Sequence, residues 1–270
     1  MTTVISCVNL KGGVGKTALA VNFAAFCGRM GMRTLLVDLD PQTNATFSCI
    51  DISEWEEHSE QYGTVADLLD ARRHTTAEGQ ARDAEDVILQ DVFENVDLIP
   101  SHLDLFSIDL DLAAATARET KLRRALKPIK DDYDVIVCDC PPNLTIPTQN
   151  ALACSTHYVV PISPDYLSGI GVGLLLQRVE KFCDDLGHEL TPAGIVVSRV
   201  GRPALHREQT VAAMRQTFGT LVLTNTIAER VKVSESAAKH VPIFDMGDAV
   251  AATEFTQVSR EILARVKATA

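Results

Sequence analysis

Short apolar runs alternate along the chain with longer segments in which apolar residues recur every three or four positions. The short runs predict buried β-strands, and the longer segments predict helices that cover a sheet. The predicted strands are Val4–Asn9, Thr34–Leu39, Val96–Pro100, Asp134–Cys138, His157–Pro161, Gly194–Ser198 and Leu221–Leu223. The predicted helices are Thr17–Arg29, Leu103–Lys127, Leu167–Leu186, Ala204–Phe218 and Ala249–Lys267. This alternation favours an α/β fold with a mostly parallel, twisted sheet and helices on both faces.

One stretch interrupts the alternation. From about residue 51 to residue 85 the chain is polar and acidic, and only Thr64–Ala71 has a helical pattern. We interpret this stretch as a surface excursion, because neither a Gly-, Ser- or Pro-rich linker nor an internal repeat divides the sequence. The 270 residues therefore predict a single domain over 1–270.

Composition and charge exclude several classes of protein. An apolar share of 46% and a charged share of 23% are typical of a globular chain, and 5% aromatic residues disfavour a base-stacking platform. The net charge of −11 disfavours nucleic acid over the whole surface, yet residues 199–240 hold seven basic and three acidic residues. This window is either a local DNA-binding patch or a solvated face. No basic leader precedes the first strand and no apolar run approaches about 20 residues, which predicts a cytoplasmic protein without a signal peptide or membrane-spanning helix.

The cysteines predict no covalent or metal framework. There are seven, an odd number, and no CxxC pair occurs among them. Neither a disulfide framework nor a zinc or iron–sulfur site is therefore indicated. Cys138 and Cys140 lie two apart in a predicted strand, which is typical of small core residues.

The strongest chemical signal is the run Lys11-Gly12-Gly13-Val14-Gly15-Lys16-Thr17, which follows a strand and opens a helix. Glycines in this position let several backbone N–H groups point at one anion, and the helix N-terminus adds partial positive charge. Lys16 is placed to reach the β- and γ-phosphates of a nucleotide, and the Thr17 hydroxyl to bind Mg²⁺. With Ala18, the run from Lys11 to Thr17 predicts the nucleotide-binding residues of a P-loop NTPase.

The loop departs from the standard pattern because Leu10 stands where the first glycine is expected and a second lysine, Lys11, begins the loop. This form, KGGxGK[ST], resembles the deviant phosphate loop of the ParA/MinD family of ATPases, closest to the Soj-like partition ATPases. The resemblance implies that Lys11 is catalytic and reaches across a dimer interface to the partner's nucleotide. It also implies ATP and Mg²⁺ as the bound groups.

Two further motifs place carboxylates at strand ends. Asp38 and Asp40 lie two apart at the end of a buried strand, in a segment that resembles the DxDPQ switch of the family. By that resemblance Asp40 is catalytic and orients the attacking water, while Asp38 supports the Mg²⁺ shell. The residues alone leave the division of these roles open, and turn capping is the alternative. Asp139 ends a second apolar strand before Pro141-Pro142, which predicts a carboxylate that holds Mg²⁺ through a water molecule.

The C-terminal third carries a weaker signal. Ile227–Ser236 resembles the family segment IPRxxxLxEA, which lies near the base, but Ala228 and Glu229 replace its Pro-Arg. The substitution leaves the adenine-contacting residues unassigned. Arg230 and Lys232 are candidate DNA-binding residues, with ordinary surface charge as the alternative.

The resemblance implies an ATPase that partitions DNA or positions cargo. An ATP-bound sandwich homodimer would bind DNA nonspecifically at the nucleoid, and a ParB-like or other cargo adaptor would stimulate hydrolysis and release the DNA. A membrane-associated, MinD-like ATPase is the main alternative, although the mixed charges of Ala249–Lys267 favour core packing over membrane contact. A metabolic relative with an iron–sulfur cluster or ligase activity, and a scaffold that barely hydrolyses ATP, are the others.

Overall fold

The computed structural model describes residues 2–70, 82–112, 115–165, 168–201 and 205–269. Across these residues seven strands form one sheet. They are β1 (Thr3–Cys7), β2 (Thr34–Asp38), β3 (Leu89–Phe93), β4 (Val96–Ile99), β5 (Val135–Asp139), β6 (His157–Ile162) and β7 (Thr191–Val197). Their order is β3-β4-β2-β5-β1-β6-β7, and every pairing is parallel except that of β3 with β4. The predicted mostly parallel α/β sheet is confirmed.

The same residues form ten α-helices. They are α1 (Lys16–Arg29), α2 (Ile52–Gln61), α3 (Val65–Leu68), α4 (Ile108–Asp111), α5 (Lys121–Leu126), α6 (Ile146–Cys154), α7 (Ser168–Leu186), α8 (Leu205–Phe218), α9 (Val231–Ala238) and α10 (Ala249–Thr269). Short 3₁₀ turns lie at Thr46–Ser48, Leu103–Phe106, Arg118–Thr120, Lys130–Asp132, Gly219–Leu221 and Ile243–Asp245.

The sheet separates two hydrophobic cores. One core packs α1 and α10 against one face, with the fully buried Phe23 and Phe255 among its members. The other packs helices α3 to α8 against the opposite face. All five residues of β2 and all five of β5 are buried, because helices cover both sides of these central strands. The carboxyl ends of β1, β2 and β5 therefore open on the same edge of the sheet, where parallel α/β sheets bind ligands.

Two predicted elements are wrong. Leu103–Lys127 is not one helix: it is divided into the 3₁₀ turn Leu103–Phe106, α4, the turn Arg118–Thr120 and α5, with residues 113–114 outside the described part. Ala117 has a φ of 53°, which turns the chain between the pieces and ends helical continuity. Leu221–Leu223 is not a strand, because Leu221 ends a 3₁₀ turn and Val222 makes one isolated parallel bridge to Ile195.

Several elements were not predicted. They are the antiparallel edge strand β3 and the helices α2, α6 and α9, of which α6 lacks the apolar periodicity on which the predictions rested. The excursion predicted for 51–85 contains α2 and α3, and its residues 71–81 lie outside the described part, as do Leu167 and Ala204, where two predicted helices begin. Asp51 caps α2 by accepting the N–H of Glu54 at 2.9 Å, a local signal of a helix start.

Candidate functional site

The loop between β1 and α1 has the backbone shape of an anion-binding loop. Gly13 and Gly15 have φ angles of 73° and 86°, in the left-handed region that favours glycine. Gly15 is also the N-cap of α1, and no side chain caps this helix end. The N–H groups of the first turn of α1 are therefore free to bind an anion, and the helix dipole favours negative charge at this point.

The loop forms one wall of a cavity of about 750 Å³, a volume suited to a nucleotide. Six of the eight residues predicted to bind the nucleotide line it: Gly12, Gly13, Gly15, Lys16, Thr17 and Ala18. Lys16 is only 6% exposed, and its Nζ donates to the carbonyl oxygen of Lys11 at 3.3 Å. Val14 is buried instead, and its carbonyl oxygen accepts a hydrogen bond from Ser198.

Lys11 lies outside this cavity. Its side chain is 55% exposed, and its Nζ is 2.5 Å from Oδ2 of Asp165 in the same chain. Both residues line a neighbouring cavity of about 450 Å³ together with Gly12 and Gly13. Partial burial acts to raise the pKa of Asp165, but hydrogen bonds from Lys11 and Ser163 hold it below its usual value. The two lysines of the loop therefore have different surroundings, one buried at the cavity and one paired on the surface.

The two central strands bring carboxylates together beside the loop. Asp38 ends β2 and Asp139 ends β5, and the two residues stand opposite each other in the strand register. Both are fully buried. Asp40 follows two residues after Asp38, lines the nucleotide cavity, and accepts the N–H of Gln42 at 2.9 Å. The structure thus brings all three sequence-predicted carboxylates to the same edge of the sheet.

Asp38 positions the loop that follows it. Its Oδ1 accepts the N–H of Asp40 at 3.0 Å, and its Oδ2 accepts the N–H and the hydroxyl of Thr46 at 2.8 and 2.7 Å. Burial raises the pKa of Asp38 to about 7, against the effect of these hydrogen bonds. The contacts hold residues 40–46 in place, which is the turn-capping role that the sequence left open as the alternative, and a part for Asp38 in the metal shell stays a prediction.

Asp139 has no such partners. Both of its carboxylate oxygens are buried, and within the described residues neither has a hydrogen-bond partner at normal geometry, although the Thr17 hydroxyl lies close enough to affect its pKa. Burial and the nearby charge of Asp38 raise the pKa of Asp139 well above its usual value, while the Thr17 hydroxyl and the Lys16 ammonium act to lower it. Because buried polar atoms are normally paired, an orphaned carboxylate beside a phosphate loop is a place for a cation.

The groups around Asp139 fit Mg²⁺. A carboxylate and the hydroxyl of Thr17 are hard oxygen donors, which Mg²⁺ prefers. Within the described ranges no three His, Cys, Asp or Glu side chains form a closed metal site. An open site of this kind suits Mg²⁺, because in nucleotide sites this ion takes few protein ligands and fills its shell with water and phosphate oxygens.

Ser101, which follows β4 and Pro100, connects this loop to an aromatic cluster. The Oγ of Ser101 donates to the carbonyl oxygen of Asp40 at 2.7 Å, and its N–H donates to Oγ1 of Thr46 at 2.9 Å. Trp55, the sole tryptophan of the sequence, donates its indole N–H to the Ser101 carbonyl at 2.9 Å. Its ring packs edge-on against Phe47, which lines the nucleotide cavity, with centroids 5.6 Å apart. The indole therefore touches the cavity wall.

The opposite wall consists of residues that the sequence did not assign. It is formed by α9 and the residues that follow it: Val233, Ser234, Ser236, Ala237, Ala238 and Val241. Asn22 and Phe47 also line the cavity. The only sequence signal was the likeness of Ile227–Ser236 to a family segment near the base, and the structure does place part of that segment at the cavity.

Arg199 is a further site residue that the sequence did not indicate, because there it is only one of the seven basic residues of 199–240. It follows β7 and has a φ of 51°, which is rare for a residue with a side chain. Its guanidinium donates to the carbonyl oxygen of Gly13 at 2.6 Å and pairs with Glu229 at 2.6 Å. Arg199 thus contacts the phosphate loop and lines the nucleotide cavity.

The two candidate DNA-binding residues are both engaged within the chain. Arg230 forms a bidentate pair with Glu254, at 2.7 and 3.2 Å, which connects the start of α9 to α10. Lys232 pairs with Glu235 one helical turn later, at 2.6 Å. Their contact with DNA stays a prediction, and it requires each cation to exchange a carboxylate for a phosphate.

The last helix packs into the core. The apolar residues of α10 that are fully or almost fully buried include Phe255, Val258, Ile262 and Val266. They belong to the core formed with α1, as the mixed charges of this segment predicted. No helix in the described part of the chain combines the length and the apolar character needed to cross a bilayer.

Comparison with known proteins agrees with this site. A family model described as an AAA domain matches residues 2–191. The sporulation initiation inhibitor protein Soj of Bacillus subtilis is 33% identical over 243 residues, which cover 90% of this chain and 90% of Soj. The chromosome-partitioning ATPase Soj of Treponema pallidum is 32% identical over 259 residues, which cover 96% of each chain.

A solved structure shows the same fold. Cobyrinic acid a,c-diamide synthase from Mycobacterium smegmatis, with a bound ATP analogue and magnesium, has a TM-score of 0.82 and 24% identity, covering 100% of this chain and 97% of the other. Taken with the sequence relatives, this fold confirms the predicted P-loop ATPase. The chain belongs to the AAA-domain family of ParA/MinD-like ATPases, among the Soj-like partition or positioning members.

Proposed function

We propose that this chain is a DNA-partitioning or cargo-positioning switch, whose ATP-bound form is a sandwich homodimer that binds DNA nonspecifically. One observation carries the proposal. The phosphate loop holds two lysines, of which Lys16 is buried at its own nucleotide cavity while Lys11 points away from that cavity. An exposed ammonium beside the loop suits a contact with the nucleotide of a second copy.

The proposed chemistry divides the site residues by role. Lys16 and the N–H groups of the loop hold the β- and γ-phosphates, where their charge offsets that of the nucleotide. Thr17 and Asp139 hold Mg²⁺, which when bound neutralises charge on the phosphate oxygens. Asp40 lines the cavity with one oxygen held by the Gln42 N–H, and it orients the water that attacks the γ-phosphate.

Dimerisation requires an exchange of partners at Lys11. In the monomer its ammonium is paired with Asp165, and the side chains of this pair are 55% and 38% exposed. Such an exposed ion pair contributes little to stability, so a phosphate across the interface replaces Asp165 at low cost. The Lys11–Asp165 pair therefore belongs to the nucleotide-free state, and the contact of Lys11 with ATP to the dimer.

DNA binding follows from bringing two basic windows together. A chain of net charge −11 binds DNA poorly as one subunit, whereas two windows engage more phosphates at once. Arg230 and Lys232 are the proposed phosphate contacts. A ParB-like or other cargo adaptor stimulates hydrolysis, and loss of the dimer then releases the DNA. Because the ATP-bound dimer binds DNA, its proposed location is the nucleoid in the cytoplasm.

The decisive experiment measures duplex DNA binding with ATP, with ADP and without nucleotide, at several salt concentrations. We expect binding with ATP only, with an affinity that falls steeply with salt and does not depend on sequence. Trp55 fluorescence in the same samples reports cavity occupancy, because the indole contacts Phe47 at the cavity wall. Nucleotide binding is thereby measured separately from DNA binding.

Matched variants test the DNA-contacting residues. The double variant Arg230→Ala and Lys232→Ala should weaken binding to every duplex alike and leave ATP turnover without DNA nearly unchanged. Arg33→Ala is the control, since Arg33 is also a surface arginine near a carboxylate, 3.8 Å from Asp134. If the parent bound ATP but showed no ATP-dependent DNA binding even at low salt, the partition function would be wrong. Vesicle binding under those conditions would favour the membrane-associated alternative.

A further inference from the structure

The segment that follows β4 exposes a compact set of large apolar side chains. Leu103 is 54% exposed, Phe106 64% and Leu110 81%. These three residues, here termed the apolar patch, recur at helical spacing along the 3₁₀ turn Leu103–Phe106 and α4, while the intervening apolar residues Leu105 and Ile108 are buried. Ten large apolar residues are exposed in the described part of the chain, and three of them fall within the eight positions from Leu103 to Leu110. Clustered exposure of this kind marks an interaction surface.

The segment that carries the apolar patch is acidic, although the guanidinium of Arg118 reaches its far end and donates to the carbonyl oxygen of Leu112 at 3.3 Å. Residues 101–112 contain three aspartates and no lysine or arginine. Asp109 accepts the backbone N–H of Ile146 at 2.8 Å, and Asp111 accepts the hydroxyl of Ser107 at 2.6 Å, so both bond to neutral donors that leave their charge uncompensated. An apolar stripe flanked by carboxylates is complementary to a helix with one apolar and one cationic face, and it repels DNA and anionic lipid.

The apolar patch is connected to the nucleotide cavity by two residues. The ring of His102, directly before Leu103, stacks on Trp55 with centroids 5.4 Å apart. Ser101, directly before His102, donates to the carbonyl oxygen of Asp40. A ligand that moves the start of the 3₁₀ turn therefore acts on the indole and on the backbone of Asp40 through adjoining residues.

We propose that the apolar patch is the docking site for a basic amphipathic helix of the partner protein that regulates ATP turnover. Recognition would be helix-in-groove, with the apolar face of the partner on Leu103, Phe106 and Leu110 and its cations on Asp109 and Asp111. This inference rests on the proposed function, because it names where the adaptor binds and what chemistry the adaptor offers.

The test uses three synthetic peptides without tryptophan: an amphipathic Leu/Lys helix, a scrambled peptide of the same composition, and the same helix with Glu for Lys. Each is titrated into the full chain with ADP or a non-hydrolysable ATP analogue, and Trp55 fluorescence is followed. We expect saturable binding of the Leu/Lys helix alone, weakening as salt is raised. The double variant Phe106→Ser and Leu110→Ser should bind about tenfold more weakly, which corresponds to about 1.4 kcal/mol.

Control variants locate the binding. Val250→Ser removes an equally exposed apolar residue from α10 and should bind the peptide like the parent. Asp111→Asn should weaken binding and flatten its salt dependence, whereas Glu57→Asn, a change on the exposed side of α2, should do neither. Equal binding by the parent and the Phe106/Leu110 variant, or binding of the Glu peptide as tight as that of the Lys peptide, would overturn the proposal.

Three further measurements separate this proposal from the alternative occupants of the apolar patch and from the proposed function. Saturating Leu/Lys peptide should change the ATP turnover of the parent at least about twofold. The variant Ser101→Ala should still bind the peptide but should not show this change. Unchanged turnover in the parent would overturn the regulatory role. Loss of the ATP dimer in the Phe106/Leu110 variant without peptide would assign the apolar patch to a second copy and overturn the partner assignment. DNA binding by the parent is measured without peptide. If the parent failed to bind DNA, the partition function would be rejected, while peptide binding that depends on the apolar patch could still be observed.

Discussion

The same substitution at two neighbouring strand ends should change stability in opposite directions. Asp38 and Asp139 stand opposite each other in register, and both are fully buried. Asp38 accepts three hydrogen bonds, whereas neither oxygen of Asp139 accepts any. We predict that without nucleotide and Mg²⁺, Asp38→Asn lowers the melting temperature and Asp139→Asn raises it.

The magnitude for Asp38→Asn follows from its partners. Asparagine keeps the acceptor for the Asp40 N–H, but its NH₂ group then faces the N–H and hydroxyl of Thr46, which lose their acceptor. Leaving buried donors unsatisfied costs at least about 2 kcal/mol. In a chain of this size each kcal/mol shifts the melting temperature by roughly 2–4 °C, so a decrease of about 4–8 °C is expected.

For Asp139→Asn the change removes a buried carboxyl group whose raised pKa costs the folded chain stability at any pH above the usual carboxyl range. Asparagine is neutral and occupies nearly the same volume, so we expect a gain of about 1 kcal/mol, or roughly 2–4 °C. Addition of Mg²⁺ with ATP should reverse the order of stability. The parent gains stability from the bound ligands, while the variant lacks the carboxylate that holds the ion and gains less.

The assay is thermal unfolding at about pH 8, above the usual range of carboxyl pKa values, first in chelator and then with Mg²⁺ and ATP. Asp131→Asn, at an exposed position, is the control for a change of net charge and should leave both melting temperatures unchanged. The reasoning would be refuted if Asp139→Asn destabilised the apo protein as much as Asp38→Asn does. It would also be refuted if the Mg²⁺-dependent gain of the variant equalled that of the parent.

Four further predictions follow. Lys16→Ala should weaken ATP binding by more than about 100-fold, measured by Trp55 fluorescence, because it removes a charge-assisted contact to phosphate; parental affinity would contradict the loop assignment. Asp40→Ala should bind ATP but lower turnover by at least about 100-fold and trap a dimer on sizing chromatography, and a monomer or parental turnover would contradict its role. Lys11→Ala should keep ATP binding and lose dimerisation. Asp165→Asn frees Lys11 from an exposed ion pair and should strengthen the ATP dimer about two- to fivefold. A weaker dimer of the Asp165→Asn variant would contradict the proposed exchange of partners at Lys11. Burial lowers the pKa of His58, so the unfolded chain takes up the proton first and the contribution of His58 to stability should fall as pH drops below about 6.5. His58→Gln should therefore make the variant lose less stability than the parent over this pH range in melting curves, and an equal pH dependence of the two would contradict the reasoning.

Sequence patterns predicted well where local geometry decides the structure. Gly13 and Gly15 adopt backbone angles that other residues avoid, so the glycines themselves indicated the loop between β1 and α1. Asp139 ends a run of apolar residues, and the end of a parallel strand is the edge at which ligands bind. Patterns failed over Leu103–Lys127, because a series of short helical turns repeats apolar residues much as one helix does.

What the sequence by itself determined is the α/β class with a mostly parallel sheet, the phosphate loop and the carboxylates that it brings to the sheet edge. Only the tertiary structure decided that Asp38 holds residues 40–46, that Asp139 is left without a partner, and that Lys11 pairs with Asp165. It also decided which residues of α9 line the cavity. The Lys11–Asp165 pair and the wall formed by α9 depend on contacts between residues far apart in the chain. Such contacts are set by packing across the sheet and leave no periodic signal in either segment alone.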